Sequence, residues 1–210
     1  MLNESERARV RAAVEKAEAG LAAEIVPCAF AKSSHYPETT WAGAASAVGL
    51  TCGALLVSDF FHPIWLPLSS ILVLLPAAGF AGAALGRWCA PLQRLLIGSH
   101  RMDESVLRRA KEVFFDRGIA GTKARDGVLI FASLLERRVV VLADEAVRAK
   151  VTAEAWRPTV AAMTAAAAEG RAADGLVAAV EKAAETLRQA GMLGENGREL
   201  GDEPVEEDSR

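Results

Sequence analysis

Between residues 41 and 86 the chain is apolar almost without a break: Asp59 is the only Asp, Glu, Lys or Arg in that stretch. Charged residues are dense on both sides. A helix needs about 20 apolar residues to cross a hydrocarbon core. Residues 41–58 are just long enough and rich in Ala and Gly; residues 64–86 are longer and more apolar. The pattern predicts a two-helix transmembrane hairpin over residues 41–90, turning at Asp59-Phe60-Phe61-His62-Pro63. Trp41, Phe60, Phe61, Trp65 and Trp88 fall where amphipathic rings favour the membrane interface. Pro67 and Pro76 would cut a soluble helix but are tolerated in a membrane one. Gly49-x-x-x-Gly53 and Gly82-x-x-x-Gly86 offer smooth faces, either for the two spans to pack together or for a homo-oligomer. A buried helix pair in a soluble protein would need wrapping, and the 160 residues outside the hairpin are too few for that. A signal peptide would start earlier and have no second span behind it.

The flanks carry the periodicities of a folded domain. Asn3 followed by Glu6 marks a helix start, and Val10, Ala13, Val14, Ala17 and Leu21 then recur at helical spacing. Residues 24–30 (EIVPCAF) read as a strand, with Pro27 arguing for an edge or a bulge. After the hairpin, a helix is expected from Asp103 or Ser105, burying Val106, Leu107, Ala110, Val113 and Phe114. Residues 127–133 and 138–143 are two apolar runs expected to be strands buried on both faces. Leu134-Leu135-Glu136-Arg137 is read as the turn between them, a solvated charged tip. Two more helices are expected near 152–168 and 172–190. This order predicts an α/β layered domain with a small central sheet, interrupted by the hairpin. Its parts are residues 1–40, then 91–190, with an acidic, disordered tail over 191–210.

Charge sets the expected orientation. Arg7, Arg9, Arg11, Lys16 and Lys32 precede the hairpin, and Arg87, Arg94, Arg101, Arg108, Arg109 and Lys111 follow it; the turn has none. The positive-inside rule then puts both termini and the folded domain in the cytoplasm, on an integral inner membrane protein with two spans. The formal charge is −3, with seven acids in the tail against Arg198 and Arg210, so the tail carries −5 and the rest +2. A mildly basic body suits a lipid bilayer partner and is too weak for nucleic acid. Cys28, Cys52 and Cys89 form no paired framework, as expected in a reducing setting.

Chemistry is sparse. No glycine-rich phosphate loop, zinc motif or nucleophile elbow occurs. His35, His62 and His100 are scattered without ligand spacing and read as interfacial or surface residues. The carboxylates are more suggestive. Asp126 precedes one strand and Asp144 follows its partner, so an antiparallel pair would bring them to one end, with Glu145 adjacent. Those three acids could hold Ca²⁺ or Mg²⁺ through oxygen ligands. The commoner jobs for such residues, a turn at Asp126 and a helix cap at Asp144, are the favoured reading.

The run from Asp126 to Asp144, DGVLIFASLLERRVVVLAD, resembles the core of the TPM domain, named for the TLP18.3, Psb32 and MOLO-1 proteins. The opening helix with its EIV strand, Trp156-Arg157-Pro158, and Gly170-Arg171 with Gly175-Leu176-Val177 resemble the family's flanks. The resemblance spans about residues 5–190 except the hairpin, and is nearest to small bacterial membrane versions. It implies an α/β sandwich, Ca²⁺ binding and weak acid-phosphatase activity in some members, and assembly or modulatory roles beside other membrane proteins in others. It carries Asp126 over as the residue opening the GVLI strand. This chain departs from it at Arg125-Asp126, where many members have Asn-Asn, and at Ala143-Asp144-Glu145, where many have a glycine-rich stretch. The function expected is an accessory, assembly or quality-control module for membrane proteins; the alternative is a weak Ca²⁺- or Mg²⁺-dependent phosphatase.

Overall fold

The structure, a computed structural model, describes residues 2–61, 65–194, 200 and 205–207. His62, Pro63 and most of the acidic tail lie outside the described residues. The chain divides into two compact units: Met1–Ser34 with Asp103–Arg210, and His35–Met102.

The first unit opens with α1 (Glu4–Glu18). The Asn3 side chain accepts from Glu6 N at 2.8 Å, and the Glu6 carboxylate accepts from Asn3 N at 2.7 Å, closing the expected capping box. Val10, Val14 and Ala17 are buried at the spacing read from sequence. Strand β1 (Glu24–Phe30) follows. The second unit holds α2 (Pro37–Phe61), α3 (Leu68–Trp88) and α4 (Ala90–Ile97). Helix α5 (Ser99–Asp116) leads back into the first unit. Then come a 3-10 turn (Ile119–Gly121), β2 (Gly127–Ser133), β3 (Arg138–Ala143) and α6 (Glu145–Arg148). Another 3-10 turn (Ala153–Trp156), α7 (Arg157–Ala168), α8 (Ala172–Gln189) and β4 (Val205–Glu207) complete the chain.

The strands form one mixed sheet in the order β3-β2-β1-β4. β1 runs parallel to β2, Glu24 facing Gly127 and Phe30 facing Ser133. β2 and β3 are antiparallel. Side chains alternate across the sheet and feed two cores. Ile25, Ala29, Val128, Ile130 and Ala132 face α1, α7 and α8 through Val10, Val14, Met163, Leu176, Val180 and Leu187. Val26, Cys28, Phe30, Leu129 and Phe131 face α5 through Val106, Ala110, Val113 and Phe114. The Phe30 and Phe131 rings lie 4.9 Å apart, and the Arg109 guanidinium sits 5.3 Å from the Phe30 centroid. The unit is thus an α/β/α sandwich around a small sheet.

Several expectations change. Only β2 of the apolar hairpin is wholly buried; β3 is half-buried, because it is the outer strand of the sheet. Pro27 does not mark an outer strand. β4 pairs only with Cys28, Ala29 and Phe30, so the residue without an N–H lies just before that pairing begins. Leu107, expected inside, is exposed on α5. Three residues of the acidic tail, Val205–Glu207, pair as β4 with β1, and most of the remainder of the tail lies outside the described residues.

In the second unit, α2 and α3 are long and apolar enough to cross a membrane. Their contact is made by small residues. A Cβ on Gly43 would strike the Gly82 carbonyl, and one on Gly86 would strike the Thr39 carbonyl. The Gly82-x-x-x-Gly86 face therefore packs against α2. Gly49 and Gly53 have open space around them. At the base of this unit, Arg101 Nη2 lies 3.1 Å from Glu38 Oε1.

Candidate functional site

The site begins with a close approach. The 3-10 turn presses its backbone on the start of β2, where a Cβ at Gly127 would lie 2.6 Å from the Ile119 carbonyl oxygen. Only glycine fits there. The chain then turns tightly: Arg125 N donates to Thr122 O at 3.1 Å, and Asp126 N donates to Thr122 Oγ1 at 3.2 Å. Closing that turn puts Arg125 at φ 55°, the left-handed region.

The β2–β3 register brings the other end of the hairpin alongside. Val128 faces Ala143, and Asp144 N donates to Gly127 O at 2.9 Å. Asp144 is 3 % exposed. Its Oδ1 accepts from Glu145 N at 2.7 Å and caps α6. Among the described residues its Oδ2 has no hydrogen bond. The charge facing that oxygen is Arg125, whose Nε lies 3.3 Å away. The same guanidinium donates from Nη1 to Ala120 O at 2.6 Å and places Nη2 3.8 Å from Glu145 Oε2. Arg125 O in turn accepts from Ala146 N at 3.0 Å, tying the turn to α6.

Asp126 and Asp144 are both buried at this end of the hairpin, and Glu145 is exposed beside them. Ca²⁺ takes six to eight oxygens at about 2.3–2.6 Å, often from several carboxylates. Among the described residues no group of three or more His, Cys, Asp or Glu side chains is placed to hold a metal ion. Arg125 already faces the two acids of the Ala143-Asp144-Glu145 run. As they stand, these residues do not fit a divalent ion.

A second polar cluster lies at the opposite end of the hairpin. Glu136, expected at a solvated tip, is 2 % exposed. Its carboxylate accepts from Ser133 Oγ at 2.5 Å and from Ser33 N at 2.9 Å. The turn is held against the end of β1 because it continues the parallel pairing: Leu134 N donates to Phe30 O and Leu135 N to Ala31 O, each at 2.9 Å. The charged run Glu136-Arg137-Arg138 is therefore not one solvated unit: Glu136 is buried, Arg137 exposed and Arg138 half-buried. The available signal was Ser133 three residues before Glu136, a spacing at which a turn brings hydroxyl and carboxylate together.

Residues 95–186 match the family model of the TPM domain. No curated protein matches the chain in sequence. The fold is similar to the NMR structure of BA42 protein from the psychrophilic bacterium Bizionia argentinensis, with a TM-score of 0.58 and 17 % identity. That comparison covers 99 % of this chain and 96 % of the other. At this identity the likeness concerns the fold. The TPM-domain match thus lies within residues 95–186, less than half of the chain, and the pair of long apolar helices precedes it, after β1.

Proposed function

We propose that this protein is a membrane-anchored TPM-domain module that assists the assembly or quality control of other membrane proteins. The carrying observation is the bareness of α2 and α3. Their most apolar 18-residue windows are 0 % and 6 % buried within the structure. Leu50, Leu56, Leu72, Val73 and Phe80 all stand exposed. Each such side chain is worth about 1.5–3 kcal/mol when removed from water, so lipid is the environment that suits them. The basic residues at both ends of the pair favour an inner-membrane orientation with both termini and the TPM domain in the cytoplasm.

The competing reading is a weak Ca²⁺- or Mg²⁺-dependent phosphatase using Asp126, Asp144 and Glu145. The unbonded Asp144 Oδ2 favours it, but the guanidinium beside that oxygen stands against it.

Sided cysteine labelling tests the anchored reading. In a variant carrying Ser34→Cys on a background with the three native cysteines replaced, an impermeant maleimide should label inside-out vesicles only. Labelling of right-side-out vesicles would overturn the cytoplasmic placement.

A further inference from the structure

We propose that Arg125 is the resident cation of this TPM domain, a tethered guanidinium doing at the hairpin end what a divalent ion would otherwise do. The Asp144 carboxylate, 3 % exposed and with one oxygen lacking a hydrogen bond among the described residues, is costly unless a positive charge faces it. Arg125 Nε faces that oxygen at 3.3 Å.

The backbone is arranged to keep it there. A non-glycine residue at φ 55° is strained, and the strain persists only when its surroundings hold it. Here the holds are the Thr122 turn, the Ala146 N–H on the Arg125 carbonyl, and the Ala120 carbonyl under Nη1. Arg is suited to this in a way Lys is not: its planar fork reaches the Ala120 carbonyl and both acids at once. The pairing with Glu145 contributes little, because that side chain is mostly exposed. The pairing with Asp144 is the one that matters. A divalent ion could reach Asp144 only by displacing a guanidinium already compensating it.

The role of Arg125 at Asp144 is independent of membrane anchoring. Its test is thermal unfolding of the full-length protein in detergent, at 0, 1 and 10 mM CaCl₂ or MgCl₂ and matched ionic strength. The unaltered protein should show no ion-dependent shift. Arg125→Asn keeps a residue that tolerates the left-handed backbone but removes the charge. It should melt lower without ions and rise by about 2–4 °C as Ca²⁺ is added. Arg125→Asn/Asp144→Asn should melt near the unaltered protein and ignore both ions, since Asn still caps α6. If Arg125→Asn does not fold, the double variant decides alone: its failure to fold would contradict the proposal. An equal Ca²⁺ response in the unaltered protein, or none in a folded Arg125→Asn, would also overturn it.

Discussion

At the scale of single residues, the TPM domain is held by buried carboxylates with specific partners. Glu136 is the strongest case. Replacing it with Ala leaves the Ser33 N–H and the Ser133 hydroxyl without their acceptor, so Glu136→Ala should destabilise by about 2–3 kcal/mol in chemical denaturation. Its neighbour Arg137 should behave in the opposite way. It sits at φ 53° and is exposed, so Arg137→Gly should be neutral or stabilising by about 1 kcal/mol. Equal losses at both positions would mean that the turn, and not the carboxylate, holds the hairpin end. The meeting of Asp126 and Asp144 at one end was legible, because antiparallel register follows from two apolar runs and a short turn. The roles of Arg125 and Glu136 were not. Both depend on which way a side chain leaves a tight turn, and hydrophobic periodicity carries no information about that.

At the scale of elements, the helices were legible wherever one face is apolar. α1 and α8 bury the residues their spacing marks, and Asn3 caps α1 as its sequence suggests. The strands were legible as strands, but not their places in the sheet. β3 is as apolar as β2 and yet lies outermost. Composition cannot tell a doubly covered strand from one packed on its neighbours at one side. Two predictions belong here. α1 and α8 are joined by Arg9 Nη2 and Asp174 Oδ1, 2.5 Å apart. The hydrogen bond from Arg9, helped by Arg171, holds the Asp174 carboxyl below the ordinary Asp range. A carboxyl with a lowered folded-state pKa contributes stability above its unfolded value, about 3.9, and loses it as pH falls through the folded one. Stability should therefore drop below about pH 4, and Arg9→Ala should flatten that acid limb without altering the neutral-pH fold. The second concerns the glycines of α2 and α3. Gly82→Leu forces a side chain into the Gly43 backbone and should weaken the helix pair by about 2 kcal/mol in detergent titration. Gly49→Leu and Gly53→Leu meet open space and should stay within about 0.5 kcal/mol. A Gly49→Leu penalty equal to that of Gly82→Leu would mean that a second copy covers that face.

At the scale of the whole molecule, the chain divides into two units of opposite surface character. A water-suited α/β/α sandwich is left after its first strand and rejoined along α5, and the intervening unit is apolar outward. The hairpin was legible because charge depletion over more than forty residues is a gross compositional signal. Its status as an insertion into one domain was legible only through order: β1 precedes it, and β2, the parallel partner of β1, follows it. Parallel neighbours always need a long crossover. Here that crossover contains two helices able to span a bilayer. Whether they do span it is read from alkaline carbonate extraction of cell membranes. The protein should stay in the membrane pellet while peripheral proteins are released. Its recovery in the carbonate supernatant would mean that the two helices do not span a bilayer.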